Sequence, residues 1–186
     1  MNTQHALARV RRACLAALLS LSGAWASPAV AQTTYSWQTT TTGTYDWNLS
    51  STPNGWNTTG PPWFPNAVGD TANVTADTDG DQTILLNQPI TLGTLLLGDI
   101  DATGRYVIRS GTGGSLILDV ASGSAAITQV STSLGDTIAA NIQLNDPTIV
   151  TNDSGGLLTL SGVVSGAGGI IKSGTGIVLL LSLIHI

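Results

Sequence analysis

The chain has 186 residues, of which 9% are charged, and its 11 acidic and 6 basic residues give a net charge of −5 at pH 7. An acidic balance disfavours nucleic acid as a partner, and a single cysteine excludes internal disulfides as a source of stability. The 22 glycines, together with abundant Thr, Ser, Leu, Val and Ile, indicate strands and turns instead of disorder.

The N-terminal segment has the pattern of a secretory signal peptide. Three arginines within the first twelve residues precede an apolar run, Ala13–Leu21, that is too short to span a bilayer. The small-residue pattern Ala29-Val30-Ala31 predicts cleavage before Gln32, with Ala24-Trp25-Ala26 as the alternative site. We therefore expect residues 1–31 to be a signal peptide and the protein to be exported.

Residues 32–70 are rich in aromatic side chains, namely Tyr35, Trp37, Tyr45, Trp47, Trp56, Trp63 and Phe64. One interpretation is an N-terminal cap that covers a strand edge which would otherwise recruit other chains. The other is a platform on which sugars stack, because aromatic faces beside Asn and Thr suit carbohydrates. We favour the cap, because a coiled stack of strands needs one at its end.

Residues 71–180 repeat a short pattern in which a turn with Gly or Asp precedes apolar residues two positions apart. The anchors of this repeat recur at nearly equal steps and are Val74, Leu95, Leu116, Ile138, Leu158 and Val178. Such spacing predicts an all-β solenoid, a parallel β-helix with coils of about 20–22 residues and glycines at its corners. Asp70, Asp99 and Asp136 each follow a glycine and are expected to cap turn amides.

The stretch Gly156–Leu180, "GLLTLSGVVSGAGGIIKSGTGIVLL", resembles the autotransporter-associated β-strand repeat of bacterial surface proteins. The matching residues are Leu158, Leu160, Ser161, Gly162, Ser165, Gly166, Gly168, Gly169, Lys172, Ser173, Gly174 and Gly176. The resemblance implies a right-handed parallel β-helix displayed on the cell surface or outer membrane of a Gram-negative-type bacterium, or released outside it. No membrane β-barrel follows the repeat, so membrane anchoring is expected only through a missing C-terminal region.

The last six residues, 181–186, read "LSLIHI" and resemble the translation of a transposon-end adapter used in sequencing libraries. Our hypothesis is that they are not native and that the natural gene continues past Leu180. Without residues 1–31 and 181–186, three basic residues face eleven aspartates, which gives the body a net charge of −8.

The sharpest metal candidate is the loop Asp77-Thr78-Asp79-Gly80-Asp81, whose carboxylates alternate as in calcium loops. Counted from Asp77, however, the sixth position is Gln82 where such a loop needs Gly, and the twelfth is Gln88 where it needs Glu. We therefore interpret Asp77–Asp81 as a solvated corner and predict no bound metal ion or cofactor.

Catalysis is not expected, because the body contains no His to act as a base. Arg105 and Arg109 would share one face of a strand near Asp99 and Asp101, which we interpret as a surface charge pair and not as a lyase site. The sequence thus predicts no catalytic residues, and it favours a structural rod for adhesion or cell contact. The alternative is a secreted glycan-binding or polysaccharide-active protein. Expected partners are surface glycans or proteins of a host or neighbouring cell.

Overall fold

The computed structural model describes residues 31–51, 54–181 and 184–185, and this part of the chain contains strands and turns but no helix. The predicted signal peptide (except for Ala31) and residues 182, 183 and 186 of the C-terminal hexapeptide lie outside the described residues. The strands in chain order are β1 (Thr34–Ser36), β2 (Gly43–Asp46), β3 (Ser50–Ser51), β4 (Asn54–Gly55), β5 (Thr71–Val74), β6 (Gln82–Leu86), β7 (Ile90–Leu92), β8 (Thr94–Leu97), β9 (Tyr106–Ser110), β10 (Leu116–Leu118), β11 (Ala125–Gln129), β12 (Gly135–Ile138), β13 (Ile142–Leu144), β14 (Thr148–Asn152), β15 (Leu157–Leu160), β16 (Val164–Gly166), β17 (Ile170–Ser173), β18 (Val178–Leu180) and β19 (Ile184–His185).

Three parallel sheets form the walls of a β-helix. Sheet I contains β1, β5, β8, β11, β14 and β17; sheet II contains β2, β6, β9, β12, β15 and β18; sheet III contains β7, β10, β13, β16 and β19. From β5 onwards the chain visits sheets I, II and III in turn, and each strand pairs in parallel with the strand one coil away. The described residues make about 5 turns of a β-solenoid, which confirms the predicted fold class.

Inward-facing aliphatic side chains fill the interior in columns. On sheet I, Leu95 lies in register between Ala72 and Ile127, and all three are buried. On sheet III, Leu116 lies between Ile90 and Ile142 in the same way. Alternation along each strand turns one set of side chains inward, and burying an aliphatic side chain contributes roughly 1.5–3 kcal/mol. The stacked columns are therefore the main source of stability.

The coils differ in length more than the sequence spacing predicts. Residues that pair in register are separated along the sequence by one coil. Leu158 pairs with Val178 in sheet II, and Leu95 pairs with Ile127 in sheet I, so the coil that begins at Leu95 is more than half as long again as the coil that begins at Leu158. The six predicted anchors consequently do not form one column. Val74 and Leu95 belong to sheet I, Leu116 to sheet III, and the other three to sheet II. Strands of all three sheets have an inward face with alternating apolar residues. The apolar pattern of the six anchors alone therefore could not show to which sheet each anchor belongs.

One glycine shows why the corners need small residues. A Cβ on Gly162 would overlap the carbonyl of Ala140 in the preceding coil. Here the backbones of consecutive coils approach so closely that only hydrogen fits between them. Glycine is thus required by the packing of one coil on the next.

The aromatic segment forms a cap at the first coil. An antiparallel hairpin of β3 and β4 precedes a run that turns back along the free edge of sheet I. The amide of Gln38 donates to the carbonyl of Gly55 at 2.7 Å, and that of Asn57 donates to the carbonyl of Ser36 at 2.9 Å. This pairing satisfies edge groups that a parallel stack would leave unpaired.

Within the described ranges, no helix has the length and apolar character that a membrane span requires.

Candidate functional site

Three of the four tryptophans in the aromatic segment are buried. Trp37 is 2% exposed, Trp47 0% and Trp56 1%, and all three belong to the core cluster. The Trp47 and Trp56 rings pack with centroids 4.7 Å apart, and the indole nitrogens of both donate to backbone carbonyls. No sugar can stack on rings enclosed in this way. The cap interpretation is confirmed for these residues, and the sugar platform is wrong for them; Trp63, 38% exposed, is the exception.

The three aspartates that follow glycines accept hydrogen bonds from turn amides, as predicted. Asp70 receives the amides of Thr33 and Asn66. Asp136 receives the amide of Tyr106 at 2.8 Å, which belongs to the preceding coil. Their carboxylates therefore tie turns and neighbouring coils together and have a structural role.

Of these three carboxylates, that of Asp99 accepts the most hydrogen bonds. Its Oδ1 accepts the amide of Thr78 at 3.2 Å, and its Oδ2 accepts the amides of Thr103 and Gly104, both at 2.7 Å, as well as the Thr103 hydroxyl. Burial alone would raise the pKa of Asp99, but hydrogen bonds from Gly104 and two other amides outweigh it and lower the pKa. The buried group is thus held as a carboxylate by donors on both oxygens.

Only one carboxylate of the predicted loop, that of Asp77, lies in a group of acidic side chains, and its neighbours come from the next corner. Asp77 is grouped with Asp99 and Asp101, whose carboxylate oxygens lie within 4.8 Å of one another, while no such group in the described residues contains Asp79 or Asp81. The negative charge of Asp101 is the main cause that raises the pKa of Asp77. Because Asp99 is already occupied by four donors, this corner acts first as a turn cap.

A buried polar ladder that the sequence analysis missed connects sheets I and II in the later coils. The amide nitrogen of Gln129 donates to Asn152 Oδ1 at 3.2 Å and to the Ser154 hydroxyl at 2.6 Å, and its Oε1 accepts the amide of Asp136. Asn152 in turn donates to the carbonyl of Ile177 in the next coil. The signal in the sequence was an amide side chain at the end of two successive sheet I strands.

Burial also perturbs two groups beside this ladder. It raises the pKa of Asp136, and hydrogen bonds from Ser133 and the Tyr106 amide only partly oppose the shift. It raises the pKa of the Tyr106 phenol well above its usual range, with further contributions from the charges of Asp99 and Asp136. The Tyr106 hydroxyl donates to the carbonyl of Ala76 at 2.9 Å, so this ring is a structural element.

Arg105 directly precedes β9 and Arg109 lies within it, and both are exposed on one face, as the spacing predicts, because each is two residues from Val107. The prediction that these arginines form a surface charge pair with Asp99 and Asp101 is wrong. In the part of the chain that the structure describes, no carboxylate oxygen lies within 4.0 Å of either guanidinium, but the charge of Arg105 acts on Asp136 and partly opposes the rise in the pKa of that carboxyl. Asp99, the expected neighbour, is directed into the corner where its amide donors lie. Both arginine side chains are exposed.

Three shallow depressions are described on the outer surface. One, of about 380 Å³, lies beside the cap and is lined by Thr33–Tyr35 and by the turn Asn57–Pro62. A second, of about 320 Å³, is lined by Ser36, Trp37, Gln38, Thr40, Asn73, Thr75, Ala76, Asp77 and Ile100. The third, of about 270 Å³, lies on sheet II and is lined by Arg105, Leu134, Gly135, Asp136, Thr137, Leu157 and Thr159. Of these three, only the depression on sheet II contains a basic side chain.

Comparison of the chain with models of protein families, with curated proteins and with solved structures found no match. The structure by itself defines the class, a parallel β-helix protein built from repeated coils.

Proposed function

We propose that this chain is part of an exported, autotransporter-like passenger region that acts outside a Gram-negative-type cell as a stiff rod for adhesion or cell contact. One observation carries the proposal, the stack of about 5 parallel coils closed by a cap at the first coil. Parallel ladders and inward aliphatic columns make such a stack long and stiff, and its outer faces present repeated side chains. The resemblance of Gly156–Leu180 to the autotransporter-associated repeat supports the surface location.

The proposal includes no catalytic step, metal ion or cofactor. The residues that the sequence offered for catalysis are separated, since Asp99 is enclosed by amide donors while Arg105 and Arg109 face outward. The competing glycan hypothesis loses the three enclosed indoles as a binding platform. Contact through an extended face fits the remaining surface better than chemistry in a pocket.

Export is tested by producing the full chain in a Gram-negative host and measuring its mass in the periplasm, the outer membrane and the medium. We expect a product that begins at Gln32. An uncleaved chain that stays in the cytoplasm would contradict the proposal.

Adhesion is tested by coating beads with the purified native protein and counting the cells that attach. Beads coated with the heat-denatured protein are the matched control, because they carry the same composition without the coil stack. We expect attachment to the native coating only. Equal attachment to the native and the denatured coating would show that adhesion does not depend on the folded coil stack.

A further inference from the structure

The depression on sheet II has an architecture that follows from the register. Thr137 lies between Val107 and Thr159 in one outward row, and Gly135 lies opposite Leu157 in the next. Extending the same register by two residues places Arg105 beside Gly135. Because Gly135 has no side chain, it leaves a gap in this row between the side chains of Arg105 and the exposed Leu157. This gap is the floor of the depression.

The gap is built into the backbone. Gly135 has φ of 115°, a conformation that other residues rarely adopt, and a Cβ there would lie 2.9 Å from the carbonyl oxygen of Leu157. The floor is therefore fixed by the fold. The neighbouring Asp136 also lines the depression, but its carboxylate accepts hydrogen bonds from the Tyr106 amide and the Ser133 hydroxyl and interacts with Arg105 only through its charge.

We propose that this depression binds an acidic saccharide, whose carboxylate or sulfate group pairs with the guanidinium of Arg105. The half-exposed hydroxyls of Thr137 and Thr159 supply hydrogen bonds for sugar hydroxyls, and Leu134 and Leu157 supply an apolar wall for the C–H face of the ring. Arg109, roughly 13 Å further along the strand, is placed to meet a second acidic group of the same oligosaccharide.

The charge distribution selects this ligand class. In the described part of the chain no carboxylate lies within ion-pair distance of either guanidinium, and Arg105 acts on Asp136 only through its charge, so an anion from outside gains a direct pairing that the protein does not supply. A nucleic acid needs many cationic contacts and would meet a body of net charge −8. A short acidic oligosaccharide needs only these two arginines. The inference goes beyond the proposed adhesion role, since it concerns one face of the rod wherever the protein is located.

The test titrates the purified protein with trigalacturonic acid, a sulfated galactose oligosaccharide and neutral galactotriose, with binding followed by NMR chemical-shift changes. We expect at least one of the two acidic sugars to bind, with an affinity that falls as salt is added. Galactotriose should bind weakly or not at all. The arm that binds identifies the carboxylate or the sulfate as the preferred group. Failure of both acidic sugars to bind at millimolar concentration would overturn the inference.

Substitutions locate the site. Arg105→Gln should weaken binding of the acidic sugar by roughly tenfold or more, and Arg105→Lys by less, because a lysine keeps the charge but not the planar pair of donors. Lys172→Gln is the matched control, because it removes the same charge from another part of the surface and should leave binding unchanged.

Three results would refute the site: an equal loss in Lys172→Gln, no loss in Arg105→Gln, or tighter binding of a single-stranded oligonucleotide than of either acidic sugar. The bead assay of cell attachment is independent of these titrations. Loss of attachment with intact sugar binding, or the reverse, therefore separates the adhesion role from this site.

Discussion

Replacing Asp99 by Asn tests the idea that a buried carboxylate holds a corner of the coil together. Both oxygens of Asp99 accept hydrogen bonds, one from Thr78 and three from Thr103 and Gly104. In the Asn variant the side-chain NH2 group takes the place of one of these oxygens. In either orientation it would then face an N–H or O–H donor and could not accept its hydrogen bond. The better orientation gives up the bond to Thr78 and leaves a buried NH2 group without an acceptor.

The loss of one charge-assisted hydrogen bond and the burial of an unpaired donor should lower the free energy of unfolding by about 2–4 kcal/mol. For a domain of this size that corresponds to a fall in Tm of roughly 5–15 °C. Thermal and urea denaturation followed by far-UV circular dichroism measure both quantities. The protein should remain folded at room temperature, so that the comparison is between native states.

Asp136→Asn is the matched control. Its oxygens accept one bond from the Tyr106 amide and one from the Ser133 hydroxyl, and that hydroxyl can reverse to accept from an amide. We expect a change below about 1 kcal/mol, because the substitution also removes a buried charge. If Asp99→Asn destabilises the protein no more than Asp136→Asn does, the argument from donor geometry is wrong.

The same two residues predict pH effects of opposite sign. The folded pKa of Asp136 is raised above 3.8, so its stabilising contribution is complete below the unfolded pKa and is lost as the pH rises through the folded pKa. The folded pKa of Asp99 is lowered, so its contribution is present above the unfolded pKa and is lost as the pH falls through the folded pKa. Measured from pH 2 to pH 7, the stability difference between wild type and each Asn variant should therefore change in opposite directions.

Two further substitutions test the cap and the close approach of coils. Trp47→Ala should cost about 3–5 kcal/mol through the cavity that it leaves, whereas Trp63→Ala, at an exposed ring, should cost under about 1 kcal/mol; equal losses in urea denaturation would rule out a packed cap. Gly162→Ala should lower Tm, because its Cβ meets the carbonyl of Ala140, while Gly155→Ala, where nothing lies within 4 Å, should not; an unchanged Tm for Gly162→Ala would show that the coils separate easily.

The sequence was sufficient for the fold class because two local signals agree. Alternation of apolar residues gave strands with one inward face, as Leu95 and Leu116 show, and aspartates after glycines gave the corner caps at Asp99 and Asp136. These signals depend on neighbours within a few residues, so a single sequence contains them.

Contacts between coils were not predictable in the same way. The grouping of Asp77 with Asp101 and the row formed by Thr137 and Thr159 depend on how many residues each corner loop contains. A loop that lengthens one coil, as between Leu95 and Ile127, changes which side chains become neighbours without altering the strand pattern. Distances along the sequence therefore grouped the wrong carboxylates, and the depression beside Arg105 had no sequence signal.

The segment around Gly55 and Asn57 has a consequence for how such molecules stay separate. In cross-section a stack of parallel strands resembles an amyloid protofilament, whose growing tip accepts any chain that can extend the ladder. At the first coil the edge of sheet I carries a segment that runs in the opposite direction, with aromatic rings folded beneath it. A second molecule that arrives in the parallel orientation finds no parallel template along this edge, so the segment blocks extension of the sheet I ladder.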